Sequence, residues 1–220
     1  MKKDPLSYQL LHPSEVKHIP TKRIFDIAFS ICALVFLFPF LLLIALAIAV
    51  TSPGKVTYGH TRIGRGGKPF KCYKFRTMYS DAEKRLQEIL TSDPEKKAEW
   101  LSNFKLKDDP RVTPLGRFLR RTSLDELPQF WNVLRGHLSV VGPRPVVAEE
   151  LNQFFGEKAK TVLKIRPGVT GPWQVSGRSD TSYETRILMD TQYVDSQSLW
   201  VDLRLIGKTI YCMLSRKGAY

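Results

Sequence analysis

Ile27 to Val50 reads IAFSICALVFLFPFLLLIALAIAV, a run of 24 residues without a charge. As one straight helix it reaches roughly 36 Å, enough to cross a bilayer. A cleaved signal peptide fits poorly: the run is too long, starts too late, and meets Thr51-Ser-Pro-Gly with no small-residue cleavage site before it. A buried helix of a soluble protein also fits poorly, because so many large aliphatic residues exceed what a small core needs. Two features argue against a plain crossing. Pro39 sits mid-run, where it removes a backbone hydrogen bond and kinks a helix. Both flanks are basic, with Lys17, Lys22 and Arg23 before the run and Lys55, Arg62, Arg65, Lys68, Lys71 and Lys74 after it. Positive residues prefer the cytoplasmic face. Both flanks on that face require a helix that enters, bends at Pro39 and returns. A spanning helix that tolerates its proline stays open from this segment alone.

The 220 residues give room for one sizeable domain. Residues 1–20, with Pro5, Pro13 and Pro20, read as a lead-in; residues 21–220 read as a single domain that includes the membrane helix, 22–51. A formal net charge of +13 calls for an anionic partner: nucleic acid, an anionic membrane surface or a phosphorylated substrate. Cys32, Cys72 and Cys212 lie far apart with no CxxC pair, as expected of reduced thiols in a reducing compartment. The four histidines show no triad or metal spacing.

The densest chemistry lies in Arg120 to Pro145, RRTSLDELPQFWNVLRGHLSVVGPRP. Ser123-Leu-Asp-Glu reads as a helix start, a hydroxyl N-cap with Asp125 and Glu126 in the first turn. The positive helix end and the neighbouring Arg120 and Arg121 are expected to hold both acids ionised. The helix is expected from Leu124 to Arg135, stopping at Gly136. Val140-Val141 then gives a short extended piece, and Gly-Pro-Arg-Pro a rigid turn that fixes Arg144 for paired hydrogen bonds to phosphate. A lone Asp-Glu at a helix start usually only complements the dipole. Among phosphate-binding cations it also suits a nucleophile toward phosphorus or a Mg²⁺ ligand.

On either side of that stretch, Val56 to His60 and Pro69 to Met78 read as two strands joined by a tight basic turn. Lys74 and Arg76 on the second strand suit either phosphate binding or a solvated face. Asp81 to Phe104 reads as two helical pieces divided at Asp93-Pro94, and Leu115 to Arg121 as a short basic helix. Val147 to Lys164 is helical with an interruption near Gly156. Ile165 to Arg178 carries too many glycines and prolines for a helix, and its Trp173, Gln174 and Arg178 suit contacts to a base or sugar. Glu184 to Val194 is helical and carries Asp190, a further candidate substrate-binding residue. Ser198 to Leu214 is an amphipathic helix with Trp200, Leu203, Ile206, Ile210 and Leu214 on one face, suited to an anionic membrane surface or to core packing.

KRIFD before the apolar run, Pro39 inside it, YKFRTM at Tyr73–Met78, the Arg120–Pro145 stretch and IRPGVTGPWQVSGR occur in the order of a known family. The chain resembles the bacterial sugar transferases, the monotopic polyprenyl-phosphate phosphoglycosyl transferases, from about Lys22 to Tyr220. Members often have Ser before the proline; here it is Phe38. The resemblance implies an α+β, mostly helical monotopic membrane protein. Its parts would be a Pro-broken re-entrant helix with both ends cytoplasmic, a small β-hairpin and surface amphipathic helices. Lys22, Arg23 and Pro39 would seat it at the inner membrane. Larger members add an N-terminal multispan region, so this chain reads as the catalytic unit alone. The implied reaction carries a sugar 1-phosphate from a UDP-sugar to a polyprenyl phosphate and releases UMP, starting O-antigen, capsule or exopolysaccharide assembly. Galactose and glucose are the first candidates for the sugar, with an N-acetylated sugar as the alternative. By the same carry-over Asp125 is the nucleophile, Glu126 helps hold Mg²⁺ or assists proton handling, and Arg144, Lys74, Arg76 and Arg120 bind phosphate. The resemblance also allows a homodimer. A membrane-anchored nucleic-acid-binding protein is disfavoured because no aromatic-basic module is present; a non-catalytic scaffold is the other alternative.

Overall fold

A computed structural model describes residues 12, 15–103, 106–176 and 182–215. Its first element, α1 (Pro20–Thr51), opens with Pro20 in the first turn, where the missing N–H costs nothing. The helix continues through Pro39, so the expected break is not seen as a gap; the proline leaves only the Val35 carbonyl without its helical donor. What distinguishes α1 is where it is held. Near its start Asp26, 1% exposed, accepts from Ser139 Oγ (2.9 Å) and the Val140 N–H (3.0 Å). Lys22 pairs with Asp202 at 2.6 Å, and Arg23 donates to the Val133 and Leu134 carbonyls at 2.6 and 2.8 Å. Near its end Ile44 and Ile48 are buried against Phe75 and Leu119, and Arg76 donates to the Ser52 and Pro53 carbonyls. Between these anchors Val35, Phe36 and Phe38 are 71%, 84% and 63% exposed. Lys22 and Arg23, expected at the membrane surface, also make internal bonds, because buried carboxylate and carbonyl partners lie within reach.

The domain is assembled from small pieces. Strands β1 (Thr57–Ile63) and β2 (Pro69–Phe75) pair antiparallel, joined by a 3₁₀ turn at Arg65–Gly67. Helices α2 (Ala82–Ser92) and α3 (Pro94–Asn103) follow, split at Asp93-Pro94 as the sequence indicates. Then come α4 (Pro114–Thr122), a 3₁₀ turn at Leu124–Glu126, and α5 (Gln129–Leu134), which ends before Gly136 at φ 77°. Asn132 of α5, fully buried, accepts from the Tyr73 N–H (2.9 Å) and donates to the Lys71 carbonyl (2.7 Å). It therefore fixes β2 against the segment that carries the two acids.

Strand β3 (Ser139–Val141) pairs in parallel with β4 (Gly168–Thr170), a strand inside the stretch whose glycines and prolines excluded a helix. Glycine allows this approach: a Cβ on Gly168 would lie 2.1 Å from the Gly142 nitrogen. The chain between them forms α6 (Ala148–Glu150), a π-helical turn at Leu151–Phe155 and α7 (Lys158–Val162), interrupted at Gly156 as expected. Last come α8 (Tyr183–Ser196) and α9 (Leu199–Ser215). On α9 Asp202 and Leu205 face inward, while Trp200, Leu203, Ile210, Tyr211 and Met213 are exposed. One apolar cluster joins Phe25 and Phe29 of α1 to Val133, Leu138, Val140, Tyr193 and Leu205.

Gly168→Ala is expected to lower the melting temperature by several degrees or abolish soluble expression, since backbone atoms cannot yield as a side chain does. Gly207→Ala, on α9 with nothing near its Cβ position, is expected to be neutral or slightly stabilising. Thermal melts of the two variants test the pair; equal melts would refute the close β3–β4 approach.

Candidate active site

The acids do not sit where a simple helix start would put them. Helix α4 is the capped one: Thr113 Oγ1 accepts the Gly116 N–H at 2.8 Å, with Pro114 next. It ends on Ser123, whose φ of 57° makes it the only non-glycine with positive φ among the described residues. Ser123 is therefore a left-handed stop and not the expected hydroxyl N-cap; its side chain caps nothing. The expected helix from Leu124 to Arg135 divides into the 3₁₀ turn and α5. The reversal at Ser123 sets Asp125 and Glu126 across from β2, where Lys74 pairs with Glu126 at 2.5 Å.

The two carboxyls then diverge. Burial, which Lys74 and Arg120 offset only in part and the charge of Glu126 reinforces, raises the pKa of Asp125 to about 6. This corrects the expectation that both acids are held firmly ionised. Burial also acts to raise Glu126, but the charge and hydrogen bond of Lys74, with help from Arg144, outweigh it and lower its pKa. One carboxylate is stabilised as an anion, and its neighbour remains the stronger base.

The other expected residues separate into two groups. Arg144, Glu126 and Gln174 line one cavity of about 530 Å³. Arg144 is fixed by its turn, with its backbone N–H donating to Asp190 at 3.2 Å and its guanidinium 5.1 Å from the Trp173 ring centroid. Gln174 has a buried Oε1 without a partner. Arg120 donates to Thr77 Oγ1 at 2.9 Å and exerts its charge on Asp125. Arg76 is engaged at the end of α1, as above. Asp190 is buried behind Arg144, where burial raises its pKa to about 7, and it does not line the cavity. Arg178 lies outside the described residues. Trp173, 6% exposed, lines the cavity and has the Arg144 and Arg186 guanidiniums against its ring. Sequence reasoning missed Asn132, Asp26, Arg62 and Arg186. Arg62 is near enough to Arg144 that, after burial, its charge lowers the Arg62 pKa. Arg186 lines the cavity. Arg186 stands one helical turn before Asp190, while Asp26 and Asn132 fall inside quoted motifs and Arg62 in the basic flank.

The cavity lining is part polar and part apolar. Glu126, Arg144, Gln174 and Arg186 make the first; Phe29 and Leu37 of α1, with Ile206 and Ile210 of α9, contribute to the second. Such a space suits an amphiphile with an anionic head. The model of the family described as bacterial sugar transferase matches residues 17–216. The chain belongs to the bacterial sugar transferase family. It is 50% identical over 200 residues to the undecaprenyl-phosphate galactose phosphotransferase of Salmonella typhimurium, covering 90% of this chain and 41% of that protein. It is 48% identical over 199 residues to the UDP-galactose-lipid carrier transferase of Erwinia amylovora, covering 90% and 41%. It is 48% identical over 200 residues to the exopolysaccharide production protein ExoY of Sinorhizobium fredii, covering 91% and 88%. This sugar transferase thus spans about two-fifths of the length of the first two relatives and most of the third.

Among the described residues no three His, Cys, Asp or Glu side chains converge as a metal cage. Asp125 and Glu126 still fit Mg²⁺, which commonly takes one or two carboxylates and completes its shell with substrate phosphates and water.

Asp125→Asn tests the buried charge without reference to any substrate. A raised carboxylate pKa means that the folded state binds the proton more tightly. Stability from this group is then largest below the unfolded value near 4 and is lost as pH rises through about 6. At pH 7.5 the uncharged Asn is expected to raise the melting temperature by a few degrees. At pH 4 the advantage is expected to vanish. A lower melting temperature at pH 7.5 would contradict the assignment.

Proposed function

We propose that this chain transfers a hexose 1-phosphate from a UDP-sugar to undecaprenyl or another polyprenyl phosphate and releases UMP. The observation that carries the reading is the cavity, whose lining joins apolar side chains of α1 and α9 with Arg144 and with Glu126 of the Lys74–Glu126 pair. Galactose is the favoured sugar, since two relatives about half identical to this chain are named for it. The exopolysaccharide relative, matched over most of its length, supports a role in starting glycan assembly.

Asp125 is the nucleophile. Burial makes it more basic than an ordinary carboxylate, yet a group near 6 is still mostly ionised at pH 7. An Asp125 oxygen bonds to the sugar-bearing phosphorus. The bond from that phosphorus to the bridging oxygen breaks, and its electron pair leaves on UMP. An oxygen of the polyprenyl phosphate then attacks the same phosphorus. The bond to Asp125 breaks, regenerating the carboxylate and giving a polyprenyl-diphosphate sugar. Lys74 and Arg144 hold the phosphate oxygens, and Glu126 keeps Lys74 in place between turnovers. Asp125 and Glu126 are the residues that would hold Mg²⁺, which when bound spreads neutralising charge over the diphosphate.

A monotopic seat supports the same chemistry. Both ends of α1 pack on one domain and its apolar middle is bare, which favours a helix that dips into the bilayer and returns over one that crosses it. The site then stands at the cytoplasmic face of the inner membrane, where a polyprenyl phosphate presents its head. The exposed apolar side chains of α9 are suited to the same interface.

The test is UMP release by purified protein with Mg²⁺, undecaprenyl phosphate and a panel of UDP-sugars. One donor is expected to give lipid-dependent UMP, with UDP-galactose first. Asp125→Asn is expected to lose at least ~10³-fold in rate, and the wild-type rate to fall as pH drops below about 6. Retention of turnover within tenfold in Asp125→Asn would sink the nucleophile, and no UMP from any donor would favour a non-catalytic scaffold.

A further inference from the structure

Side chains alternate across a strand, so Tyr58, His60 and Arg62 share one face of β1. The pairing sets them beside Lys74, Cys72 and Phe70 of β2. They therefore stand on the face from which Lys74 reaches Glu126. The row also runs into the turn of Arg144: the Ile63 N–H donates to the Val146 carbonyl at 2.9 Å, which holds Arg62 next to that turn. None of the three lines the cavity that α1 and α9 line. Glu126 thus borders both that cavity and the hairpin, and two substrates of unlike chemistry have to meet at the carboxyl beside it.

Arg62 is half-buried, and of the neighbouring charges Arg144 disfavours its own most. Glu150 and Glu126 act on it through space, but Glu126 is bonded to Lys74 and Glu150 accepts from the Tyr183 hydroxyl at 3.4 Å. Among the described residues the Arg62 side chain has no hydrogen bond or ion pair. A guanidinium held half out of water beside another is unfavourable, and an incoming phosphate relieves it. Tyr58, 58% exposed, offers an open ring. The His60 ring lies 6.2 Å from it at 60°. A base laid flat on Tyr58 would meet His60 at a steep angle, in the geometry of a hydrogen bond and not of a stack. His60 Nδ1 lies 3.0 Å from the Thr61 carbonyl, and a carbonyl only accepts, so Nδ1 carries the proton. Burial, and then Arg62, lowers the His60 pKa and keeps the ring neutral. Nε2 is then an acceptor. Uracil carries a ring N–H between two carbonyls, where cytosine has a bare nitrogen.

We propose that Tyr58, His60 and Arg62 seat the donor nucleotide. Tyr58 stacks on the base, His60 Nε2 accepts the uracil ring N–H, and Arg62 grips the phosphate that departs with the nucleoside while Arg144 holds the phosphate being transferred. The inference rests on the transferase reading above. When the bridging oxygen–phosphorus bond breaks, its electron pair adds charge to the departing UMP, and a fixed cation there is worth most at that moment.

The experiment uses the full chain in lipid nanodiscs, as wild type, Tyr58→Ala, His60→Ala, Arg62→Gln and Arg62→Lys. Melting temperatures establish folding; Arg62→Lys and the exposed Tyr58→Ala carry the test if Arg62→Gln fails to fold. UMP and CMP binding are measured with Mg²⁺ and without lipid acceptor, alongside kinetics in both substrates and flotation on vesicles of phosphatidylglycerol and phosphatidylethanolamine. Tyr58→Ala and Arg62→Gln are each expected to weaken UMP binding about tenfold and to leave KM for undecaprenyl phosphate within twofold. Arg62→Lys is expected to recover part of the affinity, since it keeps the charge and loses the fork. Wild type is expected to prefer UMP to CMP, and His60→Ala to lose that preference. UMP affinity within twofold of wild type in folded Arg62 variants or in Tyr58→Ala overturns the inference. So does a preference for UMP over CMP that is absent in wild type or intact in His60→Ala. A rise in the lipid KM, or a loss of vesicle binding, without weaker UMP binding also overturns it and gives the row to the acceptor or to lipid headgroups. The inference fails alone when wild type releases lipid-dependent UMP and these variants bind UMP as wild type does. The transferase reading fails when wild type releases none.

Discussion

A helix that is apolar on every side cannot leave its middle in water, yet α1 is tied at both ends to one folded domain. Asp26, Lys22 and Arg23 fasten its start through buried polar bonds. Ile44, Ile48 and the Arg76 bonds fasten its end. Breaking any of the buried pairs would strand a charge without a partner, which costs far more than the pair returns when whole. The domain and the helix are therefore one unit. Phe29 and Leu37 of that helix line the cavity together with Ile206 and Ile210 of α9.

The same tie organises the chemistry. Asp26 holds β3, β3 leads into the turn of Arg144, and the glycine contacts between β3 and β4 bring Trp173 to that arginine. From the other side Asn132 locks β2 to α5, which holds Lys74 opposite Glu126. Two adjacent carboxylates of like type thereby acquire opposite character. Lys74 bonds one of them directly, and the other is buried one residue away, where the charges of Lys74 and Arg120 offset only part of the cost of burial.

Much of this was legible in the sequence, and the reasons are local. The apolar run, the hairpin around Arg65–Gly67, the division at Asp93-Pro94 and the interruption at Gly156 all follow from composition, turn chemistry or periodicity. Asp125, Glu126 and Arg144 stood out because acids between arginines and a proline-locked arginine are unusual neighbours. What was not legible depends on contacts between distant segments. Ser123 looks like an N-cap by its residue type, but α4 reaches it first and ends there in a left-handed turn. Strand β4 is three residues long and exists because β3 offers bonds to it. The partners of Lys22, Arg23 and Arg76 were not legible, because Asp202, the Val133 and Leu134 carbonyls and the Ser52 carbonyl lie 24 residues or more away in the chain. Arg186 gained its place from Trp173 and Tyr183, one of them ten residues or more away in the chain.

The central claim is that both ends of α1 lie on one side of the membrane. Single cysteines at Thr21, Phe36 and Thr51 test it, in a background with Cys32, Cys72 and Cys212 replaced by Ser, with a membrane-impermeant maleimide applied to each face of sealed vesicles. The account predicts that Thr21→Cys and Thr51→Cys react from the same, cytoplasmic, face and that Phe36→Cys reacts from neither. Reaction of Thr21→Cys and Thr51→Cys from opposite faces would mean a helix that crosses, and would contradict it.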